Sequence, residues 1–406
     1  MRLLNNSSYF SKEPEYVKDE PTRLPLRQGA LRLIPFRGLI LKQKLFIRKT
    51  NQNMHTLDTK SLKSWFMAHQ RELPWREDRS PYAVWVSEMM LQQTQVAVVI
   101  PYFERWMKRF PSIQALANAP LDDVIKVWEG LGYYSRARYL HQGAQQIVQN
   151  HKGIFPQIPE ELSKIKGIGP YTVGAICSFA FQQKMAAVDG NVIRVLARYF
   201  MIEHDIAKTK TVQHLREIAE EILPEKEPWV INEALIELGA TVCMRKPNCG
   251  ACPLKKGCLA YRHNKCEQLP YKSSKTIIQR LYRSVAVIRS GDSLLIKRGV
   301  LGEVMSDLHE FPYMETTSTG GSGEELKEYI EQLCGTGVMW EYHLPIVKHS
   351  FTRFRVELKP SVFSVRKQAK APASYQWLTI SELERLAFSS GHRRIFHTLQ
   401  QRKAMS

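Results

Sequence analysis

Four cysteines constrain this chain more than any other feature: Cys243, Cys249, Cys252 and Cys258 fall within sixteen residues in the pattern C-x5-C-x2-C-x5-C. That spacing is metal spacing, and it predicts a loop folded back on itself with its sulfur atoms turned inward. Four thiolates so arranged suit a [4Fe-4S] cluster or, as the second option, a structural zinc. Three further cysteines, Cys177, Cys266 and Cys334, bring the total to seven. In a large chain without an evident secretory signal, this usage belongs to a reducing compartment and not to a disulfide framework.

The 406 residues, 44% of them hydrophobic, exceed one ordinary domain and can build two cores. A formal charge of +19 points to a polyanionic partner, nucleic acid first and an acidic membrane surface second, and away from a small neutral substrate. No apolar run approaches the roughly 18 residues of a membrane span. Residues 1–53 carry eleven Lys and Arg against four acids without helical or strand period, and read as a basic, weakly ordered extension. The segment 23–37 imitates an organelle transit peptide, but Glu13, Glu15, Asp19 and Glu20 break the acid-poor pattern of such peptides. Alternatively, Met54 is the true start.

Between residues 59 and 261 apolar positions recur with helical period, in runs at 84–99, 102–110, 121–128, 140–148, 174–181, 192–200 and 232–238. Prolines at 74, 111, 120, 156, 159 and 228 are expected at helix ends. The fold class predicted for residues 54–266 is therefore mainly α, with the cysteine loop at 243–258. After a linker at 267–283, residues 284–406 read as α+β. Strands are expected at 284–288 and 293–297 about a Gly291-Asp292 turn, and at 354–359, 361–365 and 375–378. Helices are expected at 324–334 and 391–402, and the glycine run at 320–323 reads as a flexible loop.

Residues 86–94, Val-Ser-Glu-Met-Met-Leu-Gln-Gln-Thr, set one carboxylate, Glu88, in an apolar run. Such a group is costly unless neutral or paired, and desolvation turns it into a proton donor near neutral pH. The plainer reading of that stretch alone is a capped or solvent-facing glutamate. Residues 162–175 read as helix, glycine hairpin, helix: Gly167 and Gly169 permit a tight turn before a helix opened by Pro170. Free backbone N–H groups there can hold a phosphate, with Lys164 and Lys166 alongside. Asp189 stands at the start of a further helix, where aspartate commonly serves as an N-cap.

Taken together, several segments resemble the adenine DNA glycosylases, the MutY family of the helix-hairpin-helix glycosylase superfamily. They are Leu73-Pro74-Trp75-Arg76, Ser87-Glu88 to Gln93-Thr94, the residues 128–136, the hairpin, Val188-Asp189-Gly190-Asn191 and Asn232-Glu233-Ala234-Leu235. The resemblance is dense over residues 57–270. It implies a monofunctional enzyme that flips adenine, mispaired with 8-oxoguanine or guanine, out of double-stranded DNA and hydrolyses its N-glycosidic bond, leaving an abasic site. By motif match Glu88 would protonate adenine N7, and Asp189 would stabilise the positive charge at the sugar C1′ or its covalent adduct. Tyr171 and Asn191 would line this site, with Arg71, Trp75, Arg76 and Glu233 forming the adenine pocket. Gln93 and Tyr133 would fill the gap in the base stack, with Thr94 and Leu131 nearby, and the hairpin of Gly167 and Gly169 would grip the backbone without reading sequence. Cys243, Cys249, Cys252 and Cys258 would hold a [4Fe-4S] cluster, although the family has six residues in the first gap where this chain has five. Tyr171 stands where the endonuclease III relatives place a Schiff-base lysine, so a lyase is not implied. Glu88 with Asp189 likewise speaks against a silent DNA-binding protein. The expected setting is a monomer on DNA, with no membrane, in the cytoplasm or at a bacterial nucleoid.

The second half resembles the Nudix-like module with which this family recognises 8-oxoguanine, through residues 308–312 and 349–353. Phe351 and Thr352 would offer a stack and a hydroxyl; Arg353 stands where bacterial relatives carry histidine, and His309 where they often carry tryptophan. Glu324, Glu325, Glu328 and Glu331 lack the neighbourhood a Mg²⁺-dependent pyrophosphohydrolase needs and read as a solvated helix face.

Overall fold

The computed structural model describes residues 56–273, 277–300, 305–318, 323–366, 368, 371–372 and 374–405; the expectations for residues 1–53, for Met54 and for the glycine run at 320–322 lie outside them. Helices fill the first half: α1 (Thr59–His69), α2 (Pro74–Glu77), α3 (Pro81–Leu91), α4 (Val96–Arg109), α5 (Ile113–Asn118), α6 (Leu121–Trp128), α7 (Ser135–His151), α8 (Pro159–Leu162), α9 (Pro170–Ala175), α10 (Gly190–Tyr199), α11 (Thr209–Ile222), α12 (Pro228–Thr241) and α13 (Leu259–Arg262). Prolines open helices more often than they end them: Pro74, Pro81, Pro159, Pro170 and Pro228 all stand in the first turn, where a missing N–H costs nothing.

The apolar run expected at 84–99 is two helices. Gln92 leaves α3 with non-helical ψ, 113°, and Gln93 has φ +57°, so the chain turns at 92–95, while α4 runs on through Pro101. The run at 174–181 also changes character, because α9 passes at Ile176 into one π-helical turn ending at Ala180. Helix α3 is buried at every position from Tyr82 to Met90 and has no polar face. A helix with no exposed face must be surrounded, and its neighbours are α4, α7, α9 and the π turn, which share one core with it. A second core joins α1, α10, α11 and α12.

The second half is one mixed sheet. Its strands β1 (Gln279–Ser290), β2 (Ser293–Arg298), β3 (His309–Glu310), β5 (Met339–His343) and β7 (Phe354–Ser364) run in the order β3-β2-β1-β7-β5. In addition β4 (Tyr313–Thr316) pairs with β1, β6 (Val347–Phe351) with β7, and β8 (Tyr375–Thr379) with β2. The central pair β1 and β7 is parallel from Gln279 opposite Phe354 to Arg289 opposite Ser364. Both faces are covered, which is why Val285–Ile288 form a continuous buried run without alternation. Helix α14 (Gly323–Cys334) packs on one face; α15 (Ile380–Arg385) and α16 (Ser390–Met405) cover the other. The two strands expected at 354–359 and 361–365 are one, with Pro360 inside it, because β6 ends its pairing at Leu358 and β5 begins at Ser361.

The halves share apolar contacts. Leu308 and Ala387, from the sheet region, belong to the core built around α3, and Met305 packs against it. Among the described residues no helix is long and apolar enough to cross a membrane.

Candidate active site and nucleic-acid interface

A cavity of about 410 Å³ opens between α3, α9, α10 and α12. Glu88 reaches it from α3 and is 7% exposed. The Tyr171 hydroxyl, from α9, donates to Glu88 Oε2 at 2.6 Å. Burial pushes the Glu88 pKa up to about 7; the Tyr171 bond opposes that shift, and the nearby carboxylates of Asp189 and Glu233 add to it. Asp189 lines the same cavity as the N-cap of α10. Its Oδ1 accepts from the backbone N–H groups of Asn191 and Val192 at 2.9 and 2.8 Å, and its Oδ2 from Asn191 Nδ2 at 2.7 Å. Burial still raises its pKa against these bonds. Asp189 thus caps the start of α10 through one oxygen while it borders the cavity.

The rear wall is an arginine and glutamate lattice. Glu233 takes both guanidinium nitrogens of Arg79, at 3.0 and 3.1 Å, while Arg76 approaches it only to 3.8 Å. Arg76 is instead held by Glu237, at 2.8 Å, and by the Arg71 carbonyl at 2.7 Å; Arg71 also donates to Glu237. These contacts join Arg71, Arg76, Arg79, Glu233 and Glu237 in one five-residue network. Trp75 is 8% exposed and packs edge-to-face on Phe103 while also lining the cavity. Arg79 and Glu237 escaped the sequence reading. Glu237 could have been found: it follows Glu233 by one turn on an apolar helix, the same anomaly that singles out Glu88.

A shallower groove of about 700 Å³ shares Gln92, Gln93 and Tyr171 with the cavity and extends over Tyr133, Tyr139, Lys164 and the hairpin. Gln93 and Tyr133 both have positive φ, +57° and +50°, a conformation rare outside glycine and held only by its surroundings. The holding group is Arg136, 5% exposed, which donates to the carbonyls of Met89, Met90, Gln92, Leu131 and Gly132 and to Thr94 Oγ1. Thr94 therefore supports the turn. Leu131, expected beside the base stack, is 6% exposed and anchored in the helical core. In the hairpin, Gly167 has φ +83° and an added Cβ would lie 2.6 Å from Tyr139 Cβ. Gly169 needs no glycine geometry: its φ is −88°, it caps α9, and space beside it is open.

A third cavity, about 420 Å³, lies between Gly130–Tyr134 of the helical half and Ser350, Phe351, Thr352, Ser389 and Ser390 of the sheet half. Thr352, like Gln93 and Tyr133, has positive φ, +46°. Phe351 is half-buried against Phe354. His309 lies in the core, its Nδ1 beside the Ala387 carbonyl at 3.0 Å.

Residues 86–221 match the HhH-GPD superfamily base excision DNA repair protein family, and residues 284–398 match the NUDIX domain. The adenine DNA glycosylase of Rattus norvegicus is 33% identical over 408 residues, covering 85% of this chain and 78% of that protein. That of Mus musculus is 34% identical, with coverages of 83% and 76%. The chain belongs to the adenine DNA glycosylase family. A thermostable thymine-DNA glycosylase of known structure aligns over 56% of this chain and 99% of its own, at 25% identity and a TM-score of 0.47.

In this member of the adenine DNA glycosylase family the four loop cysteines line one small cavity, together with Cys266, whose Sγ is 3.9 Å from that of Cys249. Arg198 donates to Cys243 Sγ at 3.3 Å and to the Met244 carbonyl at 2.7 Å, tying the loop to α10. Among the described residues no three His, Cys, Asp or Glu side chains are grouped closely enough to hold one metal ion. An all-sulfur donor set around a shared cavity is nonetheless chemically suited to an iron-sulfur cluster. Cys266 lies outside the C-x5-C-x2-C-x5-C pattern and yet lines the same cavity.

Proposed function

We propose that this protein is a monofunctional adenine DNA glycosylase acting on adenine opposite 8-oxoguanine or guanine in double-stranded DNA. The observation that carries the reading is Glu88, a carboxyl with a pKa of about 7, hydrogen-bonded by Tyr171 and sharing one cavity with Asp189. An adenine excised by hydrolysis needs a proton on the base, a counter-charge at the sugar and water, and the first two groups stand ready.

Because Tyr171 donates to Oε2, the neutral form of Glu88 carries its proton on Oε1. Transfer of that proton to adenine N7 lets the glycosidic electron pair leave with the base. The Asp189 carboxylate, fixed by three hydrogen bonds, faces the positive charge that develops at C1′. Water then adds to C1′, and its proton returns to the Glu88 carboxylate. Tyr171 carries no amine, so no Schiff base forms and the strand stays intact at the abasic site. Gln93 and Tyr133, held by Arg136, occupy the gap that base flipping leaves in the stack, while the hairpin holds the backbone. Phe351 and Thr352 read the opposite 8-oxoguanine from the third cavity.

Cys243, Cys249, Cys252 and Cys258 would hold a [4Fe-4S] cluster, which when bound fixes the loop that carries Arg245, Lys246, Lys255 and Lys256 toward the DNA backbone.

The test uses a duplex with a single A opposite 8-oxoguanine, incubated with the protein and then heated in alkali. Strand scission at that adenine only after alkali is expected; its absence overturns the assignment, and scission before alkali overturns the monofunctional mechanism.

A further inference from the structure

We propose that Glu129 is a specificity-determining positioning residue: it locks the sheet region to the turn that carries Tyr133 and so sets the width of the cavity facing Phe351 and Thr352. The inference rests on reading that cavity as the 8-oxoguanine site.

Glu129 follows α6 and immediately precedes Gly130-Leu131-Gly132-Tyr133. Its carboxylate takes four donors. Oε1 accepts from Arg393 Nε at 2.7 Å and from the Phe388 backbone N–H at 2.9 Å, both in the sheet half. Oε2 accepts from Arg393 Nη2 at 3.1 Å and from Lys126 Nζ at 2.8 Å. Lys126 also crosses the boundary, donating to the Leu386 carbonyl at 2.9 Å. The side chains of Glu129 and Arg393 are 15% and 14% exposed. A charged group so withdrawn from water and so fully hydrogen-bonded is specific in geometry, and removing it leaves Lys126 and Arg393 facing each other unpaired.

Its position gives this knot its consequence. On the helical side the next residues, Gly130 to Tyr134, form one wall of the cavity; on the sheet side Ser389 and Ser390, directly after Phe388, form the other. The main chain is fixed as well, since Tyr102 donates to the Glu129 carbonyl at 2.9 Å and an added Cβ on Gly130 would meet that same hydroxyl at 2.4 Å. Glu129 thus ties together the two walls of a cavity lined by neither Glu88 nor Asp189. Arg138, one turn after Tyr134, also crosses the boundary, donating to the Ser306 carbonyl at 3.2 Å and to Asp307 Oδ2 at 2.7 Å beside Met305 of the same cavity, whereas Arg298 and Asp122, paired at 2.7 Å, do not line it.

The experiment measures single-turnover excision and duplex affinity for A opposite 8-oxoguanine and for A opposite guanine, in the wild-type chain, Glu129→Ala, Arg393→Ala and the double variant. The wild type is expected to favour the 8-oxoguanine duplex. Each single variant should lower that preference about tenfold while leaving the guanine-duplex rate within about twofold, and the double variant should lose no more than either alone. Arg393→Lys, which keeps the charge but not the fork, should restore part of the preference. An unchanged preference, equal losses on both duplexes, or additive losses overturn the proposal. If Glu129→Ala does not fold, Arg393→Ala tests the pair from its other side. A wild type without preference overturns the reading of the cavity itself, an outcome distinct from failure of the variants.

Discussion

Glu88 carries a cost and a use in the same proton. The proposed mechanism uses the protonated form of Glu88, so the single-turnover rate should fall as pH rises through about 7. Tyr171→Phe removes the bond that lowers this pKa, and the descending limb should move to higher pH. A stability profile follows with the opposite sign from a salt-bridged acid. The folded state holds a proton on Glu88 between its ordinary value of 4.5 and about 7, so stability declines across that window as pH rises. Glu88→Gln should abolish excision, keep mismatch binding, and be more stable than the wild type at pH 8 by up to about 3 kcal/mol, with the gap closing near pH 4. Denaturant titrations at the two pH values check this; equal gaps at both would show that the carboxyl is not neutralised by burial. Glu88 was legible because one acid in an apolar run is anomalous by itself. Arg79 was not, because an arginine between Asp78 and Ser80 in a short connection is ordinary until the partner glutamate is placed opposite it.

The elements show where local pattern stops being informative. A run of apolar residues predicts helix correctly over 84–99, but the turn inside it comes from Arg136, some forty residues away, gathering the carbonyls of Met89, Met90 and Gln92. Nothing local to Gln93 encodes its positive φ. Likewise Pro360 looks like a strand break and is accommodated because two partner strands meet there. The hairpin separates the roles of its glycines. Gly167→Ala should destabilise by about 2 kcal/mol or more, since both its φ and the approach of Tyr139 forbid a Cβ, whereas Gly169→Ala should change stability by less than about 0.5 kcal/mol. Melting temperatures of the two variants decide it. For the cysteine loop, Cys252→Ser should strip iron and sulfide from the purified protein and bleach its visible absorption, while Cys334→Ser, buried in the sheet half, should retain both. Retention of full iron by Cys252→Ser would remove the loop as the site.

At the scale of the whole molecule, composition and texture revealed two halves and a polyanionic partner, yet said nothing of how the halves meet. Leu308 is fully buried in the core of the other half, and Ala387 joins it there. Calorimetry should therefore record one unfolding transition, and Leu308→Asp, which sets a carboxylate in that seam, should split it into two. Two transitions in the wild type would show the contact to be too weak to couple the halves. The seam also bears on inheritance. Leu308 and Ala387 fit a hydrophobic surface owned by the first half, and Arg393 fits a carboxylate found there, so a chimera built by swapping in a relative's second half is expected to dock well only where that half supplies matching groups. Substitutions along this seam are expected to have been passed down in matched pairs, each half keeping a record of its companion.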